Sequence, residues 1–453
     1  MYKFFFSTML MMACTMAFSQ QEDSVFIKRI SDEILTNGRS YDNLRELTKK
    51  IGGRLAGSPQ MVMAEKWGAQ ALRQAGADKV WLQECMVPHW VRGGKDEVTT
   101  KGASNKSLNV LALGNSMGTG PKGITAEVVL VDSFSELEAK KDSIKGKIVF
   151  YNYKFNPTFI ETFKSYADAV PYRATGASRA AKYGAVGVIV RSMSHSTDNN
   201  PHTGALRYDS SITKIPAVAI GLQDADWLSS QLHKNTLSVH FKTNAHFLAD
   251  TTGHNVIGEL KGSQFPDHYI TVGGHLDSWD PAEGAHDDGA GIVQTIEILQ
   301  TLKTLGYTPR HTIRFVLFAN EENGVRGGDK YAAEAKANNE KHVFALESDA
   351  GGFTPRGFGY VVSEEQLKKV SSWTGLLAPY GGGTVYRDED GTDISPLNKT
   401  FGIPTAGLIP DTQRYFDYHH APNDVFENVN KRELELGAIN MAALIYLVDK
   451  YGL

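Results

Sequence analysis

Short apolar runs alternate along the chain with longer segments in which apolar residues recur every three to four positions. In the second half, the apolar runs at 269–272, 312–319 and 343–346 are rich in β-branched and aromatic side chains, which is typical of buried strands. The segment 292–302 has the helical period instead. This alternation predicts an α/β fold, in which helices cover a central sheet.

The first part of the chain is predicted to be mainly helical. Apolar residues follow the helical period through 26–74, interrupted by a turn at 52–59 that is rich in Gly, Ser and Pro. From its composition, this turn is predicted to be a plain connection between helices. Strands are then predicted at 79–86 and 108–113, and the chain ends in a predicted helix at 433–450.

The stretch from about 125 to 251 differs from its surroundings, because its predicted elements are short and no acidic cluster follows them. It is predicted to be an inserted domain with a core of its own. His195 and His202 lie here in polar loop sequence and are expected to be solvated, so no chemistry is assigned to the segment. Its predicted strands are 126–131, 146–153, 185–191 and 215–220, and its predicted helices are 172–183 and 223–232.

The N-terminus has the pattern of a signal peptide. Lys3 precedes a mostly apolar run at 4–18, and small residues stand at the offsets used for cleavage. We therefore expect residues 1–19 to be removed and the protein to be secreted or periplasmic. Anchoring as a lipoprotein through Cys14 is a less favoured alternative. No later stretch has the length and apolar content of a membrane span, so no integral membrane segment is expected in the mature chain.

Composition narrows the class of function. The 453 residues are 41% hydrophobic and carry a formal net charge of -4, with a pI near 6.4. Such a chain can form conventional cores, in about three domains by its length. It lacks the basic field that nucleic-acid binding requires, so no nucleic-acid partner is expected. Cys14 and Cys85 are the two cysteines, so removal of the leader leaves no internal disulfide.

Acidic and imidazole side chains follow each of the predicted strands in the second half. The carboxyl ends of strands in an α/β sheet meet at one edge, where ligands bind. Divalent metals need several such ligands, and two metals that share one carboxylate can hold a hydroxide between them. The candidate ligands are His275, Asp277, Asp287, Asp288, Glu321, Glu322 and Asp349.

A single carboxylate in this set has a simpler explanation. Asp287 and Asp288 precede the predicted helix at 292–302 and could only cap it, and Glu321 with Glu322 could be a solvated turn. Capping does not require acidic residues after successive strands, however. The recurrence therefore favours a metal site over separate caps.

Further polar residues cluster toward the C-terminus. His419 and His420 stand just before the last predicted helix, where either could also be a hydrogen-bonded core histidine. The loop at 381–393 is rich in Gly and charged residues. It is predicted either to shape a pocket or to face solvent.

A competing motif lies at Gly114–Gly118, which has the Gly-x-Ser-x-Gly pattern of serine hydrolases with Ser116 as the nucleophile. In those enzymes the serine leads directly into a helix. Here the chain continues with Thr119-Gly-Pro121, which does not favour a helix. A loop at a domain boundary is the preferred interpretation, and a serine hydrolase is the alternative.

The motifs in this order resemble the M28 family of co-catalytic zinc exopeptidases: Gly274-His275-Leu276-Asp277-Ser278, Asp287-Asp288-Gly289, Glu321-Glu322, Asp349, and His420 followed by Asp424. The resemblance covers nearly the whole mature chain. It implies a zinc-exopeptidase (phosphorylase/hydrolase-like) three-layer sandwich with a mixed central sheet and an inserted protease-associated domain. The implied division is 20–124 and 252–453 for the peptidase domain and 125–251 for the insert.

The resemblance also implies a ligand set for two Zn²⁺ per chain. His275 and Asp349 would hold one zinc, Glu322 and His420 the other, and Asp287 would bridge them. The peptide bond that follows Asp287 is expected to be cis, as in relatives.

Three catalytic roles are implied as well. Glu321 would be the general base, and Asp277 would hydrogen-bond the far nitrogen of His275 and so fix its tautomer. Several relatives have Tyr before the last histidine, where it donates to the developing oxyanion. This chain departs from that pattern, because His419 stands there and would have to donate in its place.

The implied substrates are dipeptides or the terminal residues of short peptides. Arg387 is a candidate for binding a free carboxylate and Asp390 for binding a free amine. An aminopeptidase of the same family is the main alternative. A non-catalytic receptor-like module and a glutaminyl-cyclase-type enzyme are others, and the complete two-metal set argues against both. A homodimer would be in keeping with the relatives.

Overall fold

The computed structural model describes residues 21–102 and 105–453. The predicted leader and Cys14 lie outside these residues. Within them, Cys85 is buried and unpaired with any other cysteine. Over the same residues, no helix has both the length and the apolar content needed to cross a membrane.

The described part of the chain contains eighteen strands and fourteen α-helices, besides five short 3-10 or π-helical segments. The strands are β1 (Lys79–Val87), β2 (Trp90–Val91), β3 (Glu97–Lys101), β4 (Ser107–Leu108), β5 (Val110–Ala112), β6 (Ile124–Val131), β7 (Ile148–Tyr151), β8 (Gly187–Arg191), β9 (Ala217–Ile220), β10 (Ser238–Lys242), β11 (His246–Phe247), β12 (Thr251–Leu260), β13 (Phe265–His275), β14 (His311–Phe318), β15 (Lys341–Glu347), β16 (Pro355–Val361), β17 (Thr384–Arg387) and β18 (Thr405–Pro410). The helices are α1 (21–37), α2 (Ser40–Glu46), α3 (Pro59–Gln74), α4 (Phe134–Ala139), α5 (Thr162–Ala174), α6 (Gly176–Ala181), α7 (Leu222–Leu232), α8 (Ala290–Thr304), α9 (Arg326–Ala337), α10 (Glu364–Ser371), α11 (Thr374–Leu377), α12 (Ser395–Phe401), α13 (Tyr415–Tyr418) and α14 (Lys431–Tyr451).

The larger core surrounds a mixed sheet with the strand order β1-β12-β14-β13-β15-β18-β16-β17. Its centre, from β14 through β18, is parallel, and antiparallel pairs flank it. Alternate residues of β14 reach two separate cores, since Phe315 and Leu317 face one and Val316 and Phe318 face the other. A sheet buried on both faces needs a helical layer on each. The predicted three-layer α/β sandwich with a mixed central sheet is confirmed.

A second sheet forms the inserted domain, with the strand order β4-β3-β10-β6-β7-β8-β9-β5. It also has a core on each face, because Ile148 and Phe150 of β7 enter one cluster and Val149 and Tyr151 enter another. Strands β3 to β5 belong to this sheet although they precede residue 125. The division of the chain into domains at residue 125 stays a prediction.

The four strands predicted in the insert are all present, but its first helix was predicted incompletely. Helix α5 begins ten residues before the predicted start at 172, and Thr175 separates it from α6. The buried face of α5 consists largely of small residues such as Ser165 and Ala169. Small side chains give a weak hydrophobic period, so the sequence pattern did not indicate the first ten residues of this helix.

Candidate metal centre

Strand register brings the predicted ligands to one edge of the larger sheet. His275 at the end of β13 pairs with Phe318 at the end of β14, and Gly273 pairs with Glu347 at the end of β15. All three strands run parallel, so the loops that follow them emerge side by side. These loops carry the Glu321–Glu322 pair and Asp349.

One group of potential ligands is centred on His275. Its Nε2 atom lies 3.1 Å from Oδ1 of Asp287 and 3.3 Å from Oδ1 of Asp349. The imidazole is buried, with 1% of its side chain exposed. The Nδ1 atom of His275 donates to the backbone carbonyl of Asp277 at 3.0 Å. That bond leaves the Nε2 lone pair directed at the two carboxylates.

A second group is centred on His420. Its Nε2 atom lies 3.1 Å from Oε2 of Glu322 and 3.3 Å from Oδ2 of Asp287. Its Nδ1 atom donates to the carbonyl of Thr203 at 3.3 Å. Both imidazoles are thus held in the same way, with Nδ1–H on a carbonyl and Nε2 free for a metal. Asp287 presents one oxygen to each group.

The donor set fits a divalent metal. Oδ2 of Asp287 and Oε1 of Glu322 are buried and make no hydrogen bond to any described residue. Burial raises the pKa of Glu321, with further contributions from Asp349 and Glu322. A cation among these carboxylates would relieve their repulsion. Two imidazoles with three carboxylates are ligands that suit zinc.

The Asp277 carboxylate does not form the predicted bond to His275. Its nearer oxygen lies 3.7 Å from Nδ1 of His275, which bonds the Asp277 carbonyl instead. The carboxylate accepts the backbone N–H groups of Glu321 at 3.0 Å and Glu322 at 3.3 Å. Asp277 therefore supports His275 through its main chain and the glutamate pair through its side chain.

Asp287 is held by its neighbours on both sides. The peptide bond from Asp287 to Asp288 is cis, as predicted. Oδ2 of Asp288 accepts the N–H of His275 at 3.1 Å, and Oδ1 accepts the N–H of Gly291 at 2.9 Å. Asp424 accepts the N–H of Asp287 at 3.1 Å. The second aspartate of the pair is thus a buried support and lies outside both groups.

The turn at 52–59 is more than the plain connection predicted for it. Arg54 is fully buried and donates to the carbonyls of Leu276 at 2.5 Å, Glu283 at 2.8 Å and Gly284 at 3.1 Å. These carbonyls lie on the two segments that flank the centre. Composition could not reveal this, because the partners are more than 200 residues away in sequence.

His419 lies at the edge of the centre. Its ring stacks on that of His420, with centroids 3.5 Å apart, and its Nε2 atom is 3.9 Å from Oδ2 of Asp287. Burial lowers the pKa of His419, and His420 lowers it further. A neutral imidazole at this place can donate a hydrogen bond, so the oxyanion role stays a prediction.

The insert reaches the centre, which corrects the prediction that it carries no chemistry. The N–H of Thr203 donates to the carbonyl of His420 at 2.9 Å, and the Thr203 carbonyl receives Nδ1–H of His420. Nη1 of Arg173 lies 3.4 Å from that Nδ1 atom. Gly204 has φ +125°, and a Cβ there would lie 2.6 Å from the same nitrogen.

His202 was expected to be solvated and is instead 2% exposed. Neither ring nitrogen has a hydrogen-bond partner in the described part of the chain. Burial lowers the pKa of His202 to about 4. His195 is exposed as predicted and packs edge-on against Phe155. The loop is polar in sequence, which predicted exposure, but it packs against the peptidase domain next to His420. His202 is therefore buried.

A cavity of about 710 Å³ opens beside Asp349 and extends to the start of α5 in the insert. Asp390 lines it and accepts a hydrogen bond from Thr405 at 2.8 Å. Arg387 does not line it and is exposed, paired with Glu364 at 2.5 Å. Side chains alternate along β17, so Tyr386 faces the cavity and Arg387 turns away. The structure thus argues against Arg387 as the carboxylate-binding residue.

Ser116 is buried and its hydroxyl is engaged. Its Oγ donates to the carbonyl of Met117 at 3.1 Å and accepts the N–H of Ala217 at 2.9 Å. No helix follows it, because the next regular element is β6. The geometry of a nucleophilic serine is therefore missing at this motif.

Comparison with known proteins agrees with this geometry. A profile of Peptidase family M28 matches residues 255–445, and one of the PA domain matches residues 124–228. Carboxypeptidase Q of Homo sapiens is 36% identical over 411 residues, which cover 90% of this chain and 85% of that protein. The predicted protease-associated insert is therefore confirmed.

Solved structures show the same fold. A peptidase M28 precursor from Shewanella amazonensis is 33% identical with a TM-score of 0.90, over 95% of this chain and 97% of that chain. A zinc aminopeptidase from Bacillus subtilis has a TM-score of 0.65 at 21% identity, over 90% of this chain and 94% of that chain. The second likeness bears on the fold alone.

Proposed function

The chain belongs to peptidase family M28, and from this membership we propose that it is an exported dizinc metallo-exopeptidase that hydrolyses dipeptides or the terminal residues of short peptides. The observation that carries the proposal is the position of Asp287. One of its oxygens lies near His275 and the other near His420, so one carboxylate serves two groups of ligands. Two metals in a hydrolytic site share a ligand in this way.

The proposed ligands divide into two sets around Asp287. His275 and Asp349 would hold one zinc, and Glu322 and His420 the other. When bound, zinc would act as a Lewis acid toward the scissile carbonyl and lower the pKa of water. The two Nδ1–H bonds to carbonyls support this assignment, because they leave both Nε2 atoms free to coordinate.

The two adjacent glutamates are proposed to act differently. Glu321 is partly exposed, whereas Glu322 is buried and lies against His420. Glu321 would take the proton from the attacking water and pass it to the leaving amine. Nε2 of His419 would donate to the carbonyl oxygen as negative charge develops on it.

Substitution of each glutamate tests this division. Glu321→Gln should keep both metals and lose roughly 100-fold or more in kcat, because the amide cannot accept the proton. Glu322→Ala should lose metal as well as activity. Elemental analysis and dipeptide hydrolysis of each variant provide the measurement. Near wild-type turnover in Glu321→Gln would show that another group is the base.

The size of the cavity supports small substrates. A volume of about 710 Å³ suits a small ligand, and the start of α5 closes its far side. The likeness to carboxypeptidase Q over 90% of this chain favours a dipeptidase or carboxypeptidase, and an aminopeptidase of the same family is the alternative. Faster hydrolysis of free dipeptides than of amino-acid anilides would favour the dipeptidase or carboxypeptidase over the aminopeptidase. The leader pattern supports export, and a homodimer is proposed only from the resemblance.

The first test is metal dependence. The purified protein should contain two zincs per chain, and chelation should abolish dipeptide hydrolysis until zinc is restored. Activity that survives complete removal of metal would contradict the proposal.

A further inference from the structure

The cavity beside the metal centre is strongly acidic. Seven acidic residues and two basic ones line it. Both basic residues are already neutralised, since Lys164 pairs with Glu161 at 2.7 Å and Arg356 with Asp411 at 2.6 Å. The remaining acids, apart from the proposed ligand Asp349, have no ion-pair partner among the described residues. They are Glu347, Asp388, Glu389 and Asp390.

Glu347 is the buried member of this set, with 1% of the residue exposed. Its Oε2 atom accepts the backbone N–H groups of Asp393 at 3.1 Å and Ile394 at 3.0 Å. Its Oε1 atom has no partner in the described part of the chain. A buried carboxylate oxygen without a donor is unfavourable by itself, and this one belongs to a residue of the cavity wall.

The outer acids belong to the same surface. The loop that carries Asp388, Glu389 and Asp390 continues into Gly391, which lies so close to the Glu347 carboxyl that a Cβ would overlap it. Asp388 and Glu389 are exposed at the rim, whereas Asp390 is half-buried. Negative charge therefore runs from the rim to the buried end beside Asp349.

We propose that this cavity selects substrates by positive charge, with Glu347 binding the free α-ammonium group of a dipeptide and the rim acids favouring a cationic side chain. The proposal rests on the proposed peptidase function and names its substrate class. An ammonium group supplies the donors that Oε1 of Glu347 lacks. A substrate with a blocked amine would leave Oε1 of Glu347 unpaired, and one with an acidic N-terminal side chain would be repelled by the rim acids.

Glu347 is close to the metal centre along the chain. It ends β15 two residues before Asp349, whose carboxylate lies 3.3 Å from Nε2 of His275. The proposed ammonium site is therefore at the same strand end as one of the proposed zinc ligands.

Kinetics of the zinc-loaded full chain test the proposal. The wild type should cleave lysyl-alanine with a kcat/KM at least about tenfold above that for glutamyl-alanine, and should not cleave N-acetyl-alanyl-alanine. Glu347→Gln, which keeps the shape and one oxygen for the two N–H groups, should raise KM for alanyl-alanine roughly tenfold or more with little change in kcat. Unchanged KM, or loss of zinc from this variant, would overturn the role of Glu347.

The rim gives a second test that does not disturb a buried group. The double variant Asp388→Asn with Glu389→Gln should reduce the preference for lysyl-alanine over glutamyl-alanine, whereas Glu365→Gln, an exposed acid outside the cavity, should not. An equal effect of both would point to general surface charge and overturn the selection by the cavity. Zinc-dependent hydrolysis without any charge preference would overturn this inference alone. Absence of zinc-dependent dipeptide hydrolysis would overturn the proposed function with it.

Discussion

Individual carboxylates around the centre differ in what their oxygens contact. Both oxygens of Asp277 accept backbone N–H groups, both oxygens of Asp288 do the same, and Asp287 keeps one oxygen without a hydrogen bond. The backbone bonds of Asp277 and Asp288 make these two acids supports, whereas the unpaired oxygen of Asp287 is available to the proposed metals. The sequence Asp287-Asp288 gives no sign of this difference, which depends on folding.

At the residue scale, Asp277→Asn should loosen the backbone that positions Glu321 and Glu322. The amide has one oxygen where the carboxylate uses two, so either Glu321 or Glu322 loses its backbone bond. We expect a decrease of roughly 10 to 100-fold in metal affinity or activity. Zinc titration and kcat for a dipeptide measure it. Wild-type values for both quantities would show that this carboxylate has no supporting role.

The proximity of single residues was predictable where a strand positions them and was hidden elsewhere. His275 and the Glu321–Glu322 pair follow buried strands, and the register of a parallel sheet necessarily brings strand ends together. Thr203 and Arg173 reach the centre from a different domain, so no local pattern could indicate their contacts with His420. The position of Arg387 was hidden for another reason, because the alternation of side chains along β17 decides that it faces away from the cavity.

At the scale of elements, helix α8 carries a buried acid that ties it to the start of α2. Oε2 of Glu297 accepts the N–H groups of Arg39 and Ser40, each at 2.7 Å. Burial raises the pKa of Glu297 from its usual 4.5 to about 7. The folded chain therefore holds a proton at pH values where the unfolded chain has released it. Stability from this group is complete below about pH 4.5 and decreases as the pH rises through 7.

Glu297→Gln should remove this pH dependence, because the amide still accepts the two N–H groups but cannot ionise. As the pH rises from 5 to 8, the free energy of unfolding of the variant should increase relative to that of the wild type, by about 3 kcal/mol at most. Thermal unfolding midpoints of both proteins across this range provide the measurement, with Glu365→Gln as a surface control. A difference that stays constant with pH would contradict the assignment.

Elements were predictable to the extent that their buried faces are apolar. Strand β14 is almost continuously buried, and its apolar run therefore predicted it. Helix α5 buries Ser165 and Ala169 and contains Pro171, so its hydrophobic pattern is weak although its first residues line the cavity. Hydrophobic period is a good guide to cores and a poor one to small-residue contacts.

At the scale of the whole molecule, the insert holds one proposed metal ligand in place. Gly204→Ala would put a Cβ 2.5 Å from the guanidinium of Arg173 and 2.6 Å from Nδ1 of His420, so the contacts that hold this imidazole on the Thr203 carbonyl would be disturbed. We expect zinc affinity at one of two sites to decrease roughly tenfold or more, with the other unchanged. Gly146→Ala is the matched control, since it has φ +75° and open space around it.

Stepwise zinc titration of the two alanine variants distinguishes the outcomes. Equal zinc affinity in Gly204→Ala and Gly146→Ala would show that the insert does not position His420. Weakening of both sites together in Gly204→Ala would indicate a general loss of structure rather than an effect on this ligand.

The insert leaves and rejoins the larger sheet at neighbouring positions. Strand β1 ends at Val87 and β12 begins at Thr251, and these two residues face each other in an antiparallel pair. Every strand of the second sheet lies between residues 97 and 242. As the chain emerges from the ribosome, the insert has its full set of strands before β1 acquires its partner. The insert can thus fold first, and the peptidase domain then closes around a wall of its active site that is already formed.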